Sequence, residues 1–337
     1  MADTEFVARR VTLARELKGW NQAQLARELE LTAAAVSQFE GGVTEPSSET
    51  FQKLGDVLGV PRGFFELPVV ETHEGFFRSL RRTSIADRRR ARALAHVAHD
   101  LAISGAGGEL PLLQLPVLKV LALDASDDEV EDAATRVRTT WGLERGPVRS
   151  MVGLLEDHGV VVIRLPLDTA DVDAFSLPFG DRPVVVLSAN KNDRARSRFD
   201  AAHELGHLVM HGESVWGMPE VEKQASKFAA AFLMPREDIL EELPSQADWK
   251  LLFQLKVKWN VSLAALLMRA KTLGKMSEAS YLSAMKTVSA RGWRRTEPVP
   301  LGPPEATKLL LGLVDHGAIS ILENVLPKDV VMSLVGA

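Results

Sequence analysis

The chain has 337 residues, 46% hydrophobic and 25% charged, which is enough apolar sequence for one to three packed domains. It contains no cysteine, which excludes disulfides, thiol catalysis and cysteine-held metals and leaves His, Asp and Glu as donors for any metal. The net charge of −5 carries no global sign of nucleic-acid binding, the polar N-terminus does not read as a signal peptide, and no window reaches the roughly 18 uncharged apolar residues of a membrane helix.

Residues 6–66 read as short helices separated by tight turns. Val7, Val11, Leu13 and Leu17, then Leu25 and Leu29, then Val36 and Phe39, then Phe51, Leu54 and Leu58 recur at helical spacing. EGGVTEPSSE is a punctuated loop after which Ser47 or Ser48 can cap the next helix. The stretch NQAQLARELELTAAAVSQFEGGVTEPSSETFQKLGDVLGV resembles the lambda-repressor-type (Cro/C1, XRE) helix-turn-helix. The resemblance implies a first helix over Gln22–Glu30 and a recognition helix over Thr32–Glu40, held together by Ala26, Val36 and Phe39. It also implies that Ala33, Ala34, Ser37 and Gln38 face the major groove while Gln22 approaches the DNA backbone. Residues 1–66 hold seven Lys or Arg against ten Asp or Glu, so phosphate attraction is weak in this unit. Between Arg78 and Arg92 there are seven arginines against the single acid Asp87, a cluster that can supply the missing charge or form a solvated helix face.

An alanine-rich helix, ARALAHVAHDLAIS, follows the arginines, then a GAGGELP break. DDEVEDAATRVRTTWGL predicts an amphipathic helix with acids in its first turn, where the helix dipole favours them, and GPVRSMVGLLEDHG a helix with a glycine stop. VVVIRLPL and RPVVVLSAN are β-branched and bounded by turn residues, as strands are.

The run FDAAHELGHLVM then places His203 and His207 four residues apart, on one helical face, so both imidazoles can reach one ion. Glu204 is offset by one position and lies beside the ion, as a general base must. Zinc with three protein ligands keeps a fourth position open and lowers the pKa of its water to about 7. The third ligand comes from elsewhere. Glu222 opens the next helix, EKQASKFAAAFLMP, fifteen positions after His207, and Glu220, beside Pro219 in the loop, competes with it. Ser226, one turn beyond Glu222, can brace a ligating histidine. His211 extends the row from His207 and is either a substrate contact or a helix-end histidine. Gly206 inside a helix costs about 1 kcal/mol relative to Ala, which fits a close approach of another element. Arg194, Arg196, Arg198 and His211 are open candidates for stabilising an oxyanion, and Val184–Leu187 is the candidate edge strand for binding an extended substrate.

RFDAAHELGHLVMH followed by EKQASKFAAAFLMP resembles the ImmA/IrrE-type metallopeptidases, which are zincin-like proteins of bacteria and phages. The resemblance implies His203, His207 and Glu222 as zinc ligands, Glu204 as catalytic base, and cleavage of peptide bonds, often in a repressor-type protein. The sequence departs from that family at Ser226, where Asn or Asp is commoner, and at Asp200, where Thr is usual. Beyond residue 246 three further helical runs match the tail of long family members and form a helical cap or, through their lysines and arginines, a second nucleic-acid contact.

The reading is a multidomain α+β chain. An all-α helix-turn-helix domain spans 1–66, an arginine-rich helical connector 67–110, a zincin-like α+β metallopeptidase domain 111–245 and a helical C-terminal region 246–337. The expected function is a cytoplasmic, zinc-dependent endopeptidase linked to transcriptional regulation, with a repressor-type or antitoxin-like protein as substrate. DNA binds through the N-terminal domain, no membrane is involved, and a homodimer is compatible with this organisation. The alternative is a DNA-binding regulator or antitoxin whose peptidase-like domain senses a ligand or partner and cleaves nothing.

Overall fold

Most helices begin where a polar side chain replaces the backbone acceptor that the first turn lacks. Asn21 accepts from the amide of Gln24 at 2.9 Å while the Gln24 side chain accepts from the Asn21 amide at 2.8 Å, a reciprocal cap that starts α2 (Gln22–Leu29). Thr32 accepts from the amide of Ala35 to start α3 (Ala33–Glu40), and Ser47 accepts from the amide of Thr50 to start α4 (Ser48–Leu58). These follow α1 (Ala8–Leu17) and precede a 3-10 turn at Arg62–Glu66. The computed structural model describes residues 6–72, 84–104, 110–116, 118, 122–166, 174–190, 192–211, 218–314 and 324–335. Arg78, Arg81 and Arg82 of the arginine cluster, the glycines of the GAGGELP break and loop 212–217 lie outside the described residues.

Contacts divide the chain into two units, each assembled from distant segments. The first comprises Met1–Leu113, Gly159–Asn190 and Thr307–Ala337; the second comprises Gln114–His158 and Lys191–Ala306.

In the first unit α1 packs on α5 (Ile85–Ser104). The alanine-rich stretch of α5 is core, with Ala93, Ala95, Val97, Ala98, Leu101 and Ala102 all at 0% exposure, because small side chains let neighbouring elements approach closely. Asp100 of α5 is also buried and pairs with Arg10 of α1, whose guanidinium further donates to the carbonyl of Leu67 at 3.0 Å. Three strands complete the unit: β1 (Val161–Leu165), β2 (Ala174–Leu177) and β3 (Val184–Ser188). The order is β1-β3-β2, with β1 parallel and β2 antiparallel to β3. The expectation that Val184–Leu187 is an edge strand is therefore corrected. Val186 faces Ile163 on one side and Phe175 on the other, so the backbone groups of β3 are already paired and cannot receive a substrate. Helices α14 (Leu309–Leu313) and α15 (Lys328–Val335) from the C-terminal segment pack against α5 and β1.

The second unit is helical. It holds α6 (Asp127–Thr140), α7 (Met151–Asp157), α8 (Arg194–Met210), α9 (Pro219–Leu233), the short α10 (Arg236–Ile239), α11 (Trp249–Trp259), α12 (Leu263–Thr272) and α13 (Glu278–Ala290). Helices α8 and α9 form its centre, and α6 packs on α9. Buried arginines clamp them. Arg138 of α6 donates to the carbonyls of Phe232, Glu144 and Gly146, Arg269 of α12 joins the carbonyl of Met234 to Glu131, and Arg198 of α8 joins the carbonyl of Val148 to Glu305. Each planar guanidinium meets several fixed acceptors at once, which suits Arg and not Lys.

Candidate metal centre

The i, i+4 spacing on α8 brings His203 Nε2 to 3.0 Å from His207 Nε2. Glu222 reaches both from α9, with carboxylate oxygens 3.4 Å from His203 Nε2 and 3.9 Å from His207 Nε2. Three donors bound at about 2.0–2.1 Å around one tetrahedral ion stand about 3.3 Å apart, so these spacings fit one small cation with little movement. Two imidazole lone pairs facing each other across such a gap repel unless a proton or a cation lies between them. Among the described residues, His203, His207 and Glu222 are the group of His and acidic side chains that could hold a metal ion. The competitor Glu220 is exposed and outside that group. The helix begins earlier than expected, at Pro219, because a proline in the first turn loses no hydrogen bond.

The close approach of α9 has a local cause. Gly206 lies against Phe228, and a side chain at position 206 would place Cβ 3.0 Å from the Phe228 ring. The missing side chain lets α9, and with it Glu222, sit near the histidine row. Ser226 Oγ lies 3.3 Å from His203 Nδ1, where a bracing residue was expected. His211 is placed against His207, with the two Nδ1 atoms 3.0 Å apart, and its Nε2 lies 3.0 Å from Gln224 Oε1. It is thus neither capped by helix carbonyls alone nor simply presented outward. Gln224 escaped the sequence reading: it is two residues from Glu222, on another side of α9, and nothing in its spacing marks it.

The acidic side chains favour positive charge on His203 but not on its two neighbours in the histidine row. Burial draws the pKa of His203 down, but its hydrogen bond to Glu222 and the charges of Glu204, Glu222 and Asp200 raise it above the ordinary value. Burial, together with the charges of His203 and His211, holds His207 well below the ordinary value. Burial pushes His211 down to about 4, so it is neutral near pH 7. Glu204 is only 3% exposed on the same helix. Of the arginines considered for an oxyanion, Arg198 is buried in its clamp and Arg194 donates to the carbonyl of Pro303 at 2.8 Å. Arg196 is exposed.

In the N-terminal helices, Ala33, Ala34, Ser37 and Gln38 are exposed along α3, while Ala26, Val36 and Phe39 are buried. Glu40 at the end of α3 is bound by Arg15 of α1, and the Gln22 amide donates to it at 2.9 Å. That network fixes α3 against the start of α2 and orients Gln22.

Residues 155–271 match the family described as the IrrE N-terminal-like domain, peptidase family M78, and residues 12–65 match a helix-turn-helix family. No match was found among curated proteins. The first match indicates a metallopeptidase-like domain and the second supports DNA-binding regulation through the N-terminal helices. Among the described residues no single helix is long and apolar enough to cross a membrane. The chain thus carries one segment similar to XRE-type helix-turn-helix domains and another similar to ImmA/IrrE-type peptidase domains.

Proposed function

We propose that the protein is a zinc-dependent endopeptidase coupled to transcriptional control, with a repressor-type or antitoxin-like protein as its substrate and the cytoplasm as its compartment. The observation that carries this is the convergence of His203 Nε2, His207 Nε2 and the Glu222 carboxylate from two adjacent helices. These three side chains would hold the ion. When bound, zinc supplies a Lewis acid for the scissile carbonyl and lowers the pKa of water. Glu204, the neighbour of His203 on α8, accepts a proton from the attacking water at its carboxylate and returns it to the leaving amine nitrogen. The absence of cysteine agrees with a reducing compartment, and the exposed face of α3 agrees with DNA reading by the same chain.

Metal analysis of the purified protein is expected to find about one zinc per chain, lost on His203→Ala. Glu204→Gln is expected to keep the zinc and the fold while cutting processing of a co-expressed target by about 10²–10⁴-fold. Unchanged processing in Glu204→Gln would leave a regulator with a sensing domain and no peptidase activity.

A further inference from the structure

We propose that Gln224 and His211 are positioning residues that fix the tautomer of His207, so that its Nε2 lone pair is turned toward His203 and Glu222. This rests on the metal centre proposed above and adds to it a directed chain of hydrogen bonds.

The direction follows from groups that can act in only one way. Gln224 is buried, and its side-chain nitrogen lies 2.8 Å from the carbonyl of Ala122 and 3.3 Å from that of Leu123. Carbonyls only accept, so this end of the side chain is the NH₂ group and the other end is the oxygen. That oxygen also only accepts, and it faces His211 Nε2 at 3.0 Å, so His211 carries its proton on Nε2. A neutral imidazole protonated at Nε2 has a bare Nδ1. His207 Nδ1 stands 3.0 Å from that bare nitrogen and must therefore be the N–H partner. The tautomer of His207 is then settled, because the proton on Nδ1 leaves Nε2 with its lone pair. That atom is the one 3.0 Å from His203 Nε2 and 3.9 Å from Glu222.

Three hydrogen bonds thus run one way, from His207 to His211 to Gln224 to the backbone before α6. Each donation pushes electron density toward His207 Nε2 and makes it a better donor to a cation. The opposite tautomer would place a proton where the ion must sit. Two consequences are built into the chain. The residue after α8 is tied to α9, and both are tied to the segment at Ala122 and Leu123, so the orientation of one imidazole depends on three separate stretches of sequence.

The test uses the full chain and zinc itself. Gln224→Met keeps length and shape but removes the acceptor. Its zinc affinity, measured by competition with a chromophoric chelator, is expected to fall about 10–100-fold with the far-UV spectrum unchanged. His211→Gln, whose carbonyl can still accept from His207 Nδ1, is expected to bind zinc more tightly than His211→Leu. Nitrogen-15 spectra of the metal-free wild type are expected to show the His207 proton on Nδ1, a readout that needs no variant to fold. Zinc affinity of Gln224→Met within about two-fold of wild type, equal affinities for the two His211 variants, or a proton on His207 Nε2 would each overturn the proposal. His203→Ala separates this from the reading beneath it. If that change leaves zinc binding intact, the metal centre itself is wrong. If it abolishes zinc binding while Gln224→Met does not weaken it, only the hydrogen-bond chain is wrong.

Discussion

Gly206 of α8 and Phe228 of α9 are in the closest contact the two helices allow: a Cβ at 206 would stand 3.0 Å from Phe228 Cδ1 and 3.3 Å from its Cβ. Phe228 has no room to yield. It is fully buried and stacked on Phe232 with ring centroids 5.7 Å apart. Gly206→Ala gains up to about 1 kcal/mol of helix propensity but meets an overpacking cost of about 1–3 kcal/mol. The expected result is a net loss of about 1–2 kcal/mol in urea denaturation together with weaker zinc binding, because α9 carries Glu222 and must move outward. A variant that is more stable and binds zinc as tightly would show that the helices have slack at this point.

The buried pair of Arg10 and Asp100 joins α1 to α5, with side chains 1% and 5% exposed. Removing one partner leaves the other charge without compensation in the interior. Asp100→Asn is expected to cost about 3–5 kcal/mol. The double variant Arg10→Met, Asp100→Leu is expected to recover most of that loss, because it removes both charges together. Hydrogen exchange of α1 and α5 in increasing urea measures both. A single variant with undiminished protection would mean that the carbonyls of Leu67 and Pro68 satisfy Arg10 by themselves.

Local signals were legible where the chemistry is local. Ser47, one of the two caps offered by the sequence, starts α4, and Asn21, Thr32, Asp248, Ser262 and Ser277 cap other helices through the same kind of short-range bond. The two histidines of α8 were legible for the same reason, since four residues make one turn. Strand β2 escaped because its four residues, Ala-Phe-Ser-Leu, form a short run without a β-branched side chain, unlike the valine-rich β1 and β3. Arg10, Arg198 and Arg269 are each 2% exposed or less and paired with an acid 90 to 138 positions away, a separation that no local pattern displays. The same distance hid Gln224, whose partners at Ala122 and Leu123 lie more than 100 positions earlier. The grouping of Thr307–Ala337 with Met1–Leu113 is likewise a product of long-range packing that no local pattern displays.

If α3 is the helix that meets DNA, it offers few side chains for reading bases. Ser37 and Gln38 are its exposed polar groups at the expected face, beside Ala33 and Ala34. Gln can bond an adenine edge through two hydrogen bonds, a contact worth about 1–3 kcal/mol. Gln38→Ala is expected to lose about that much affinity for a site selected from random duplexes, with binding to unrelated DNA unchanged. Equal losses on both would assign Gln38 to the phosphate backbone.

His96 of α5 sets the response of the first unit to acid. It is buried, its Nε2 has no hydrogen-bond partner among the described residues, and its ring meets Phe179 edge-on with centroids 4.9 Å apart. Burial, followed by the charges of Arg92, Arg10, Arg9 and His99, pushes its pKa down to about 3. In the unfolded chain the same imidazole takes a proton near pH 6.5. Between those two values the unfolded state binds the proton and the folded state does not, so stability is complete above about pH 6.5 and falls as pH drops toward 3. By pH 4.5 the loss is on the order of 2 kcal/mol. His96→Met, close in size and unable to titrate, is expected to remove that part of the acid sensitivity while changing stability at pH 7 by less than about 1.5 kcal/mol. Urea midpoints for α5, read by hydrogen exchange at pH 7 and pH 4.5, decide it. If both proteins lose the same stability on acidification, the sensitivity of this unit comes from its carboxylates and not from the buried imidazole.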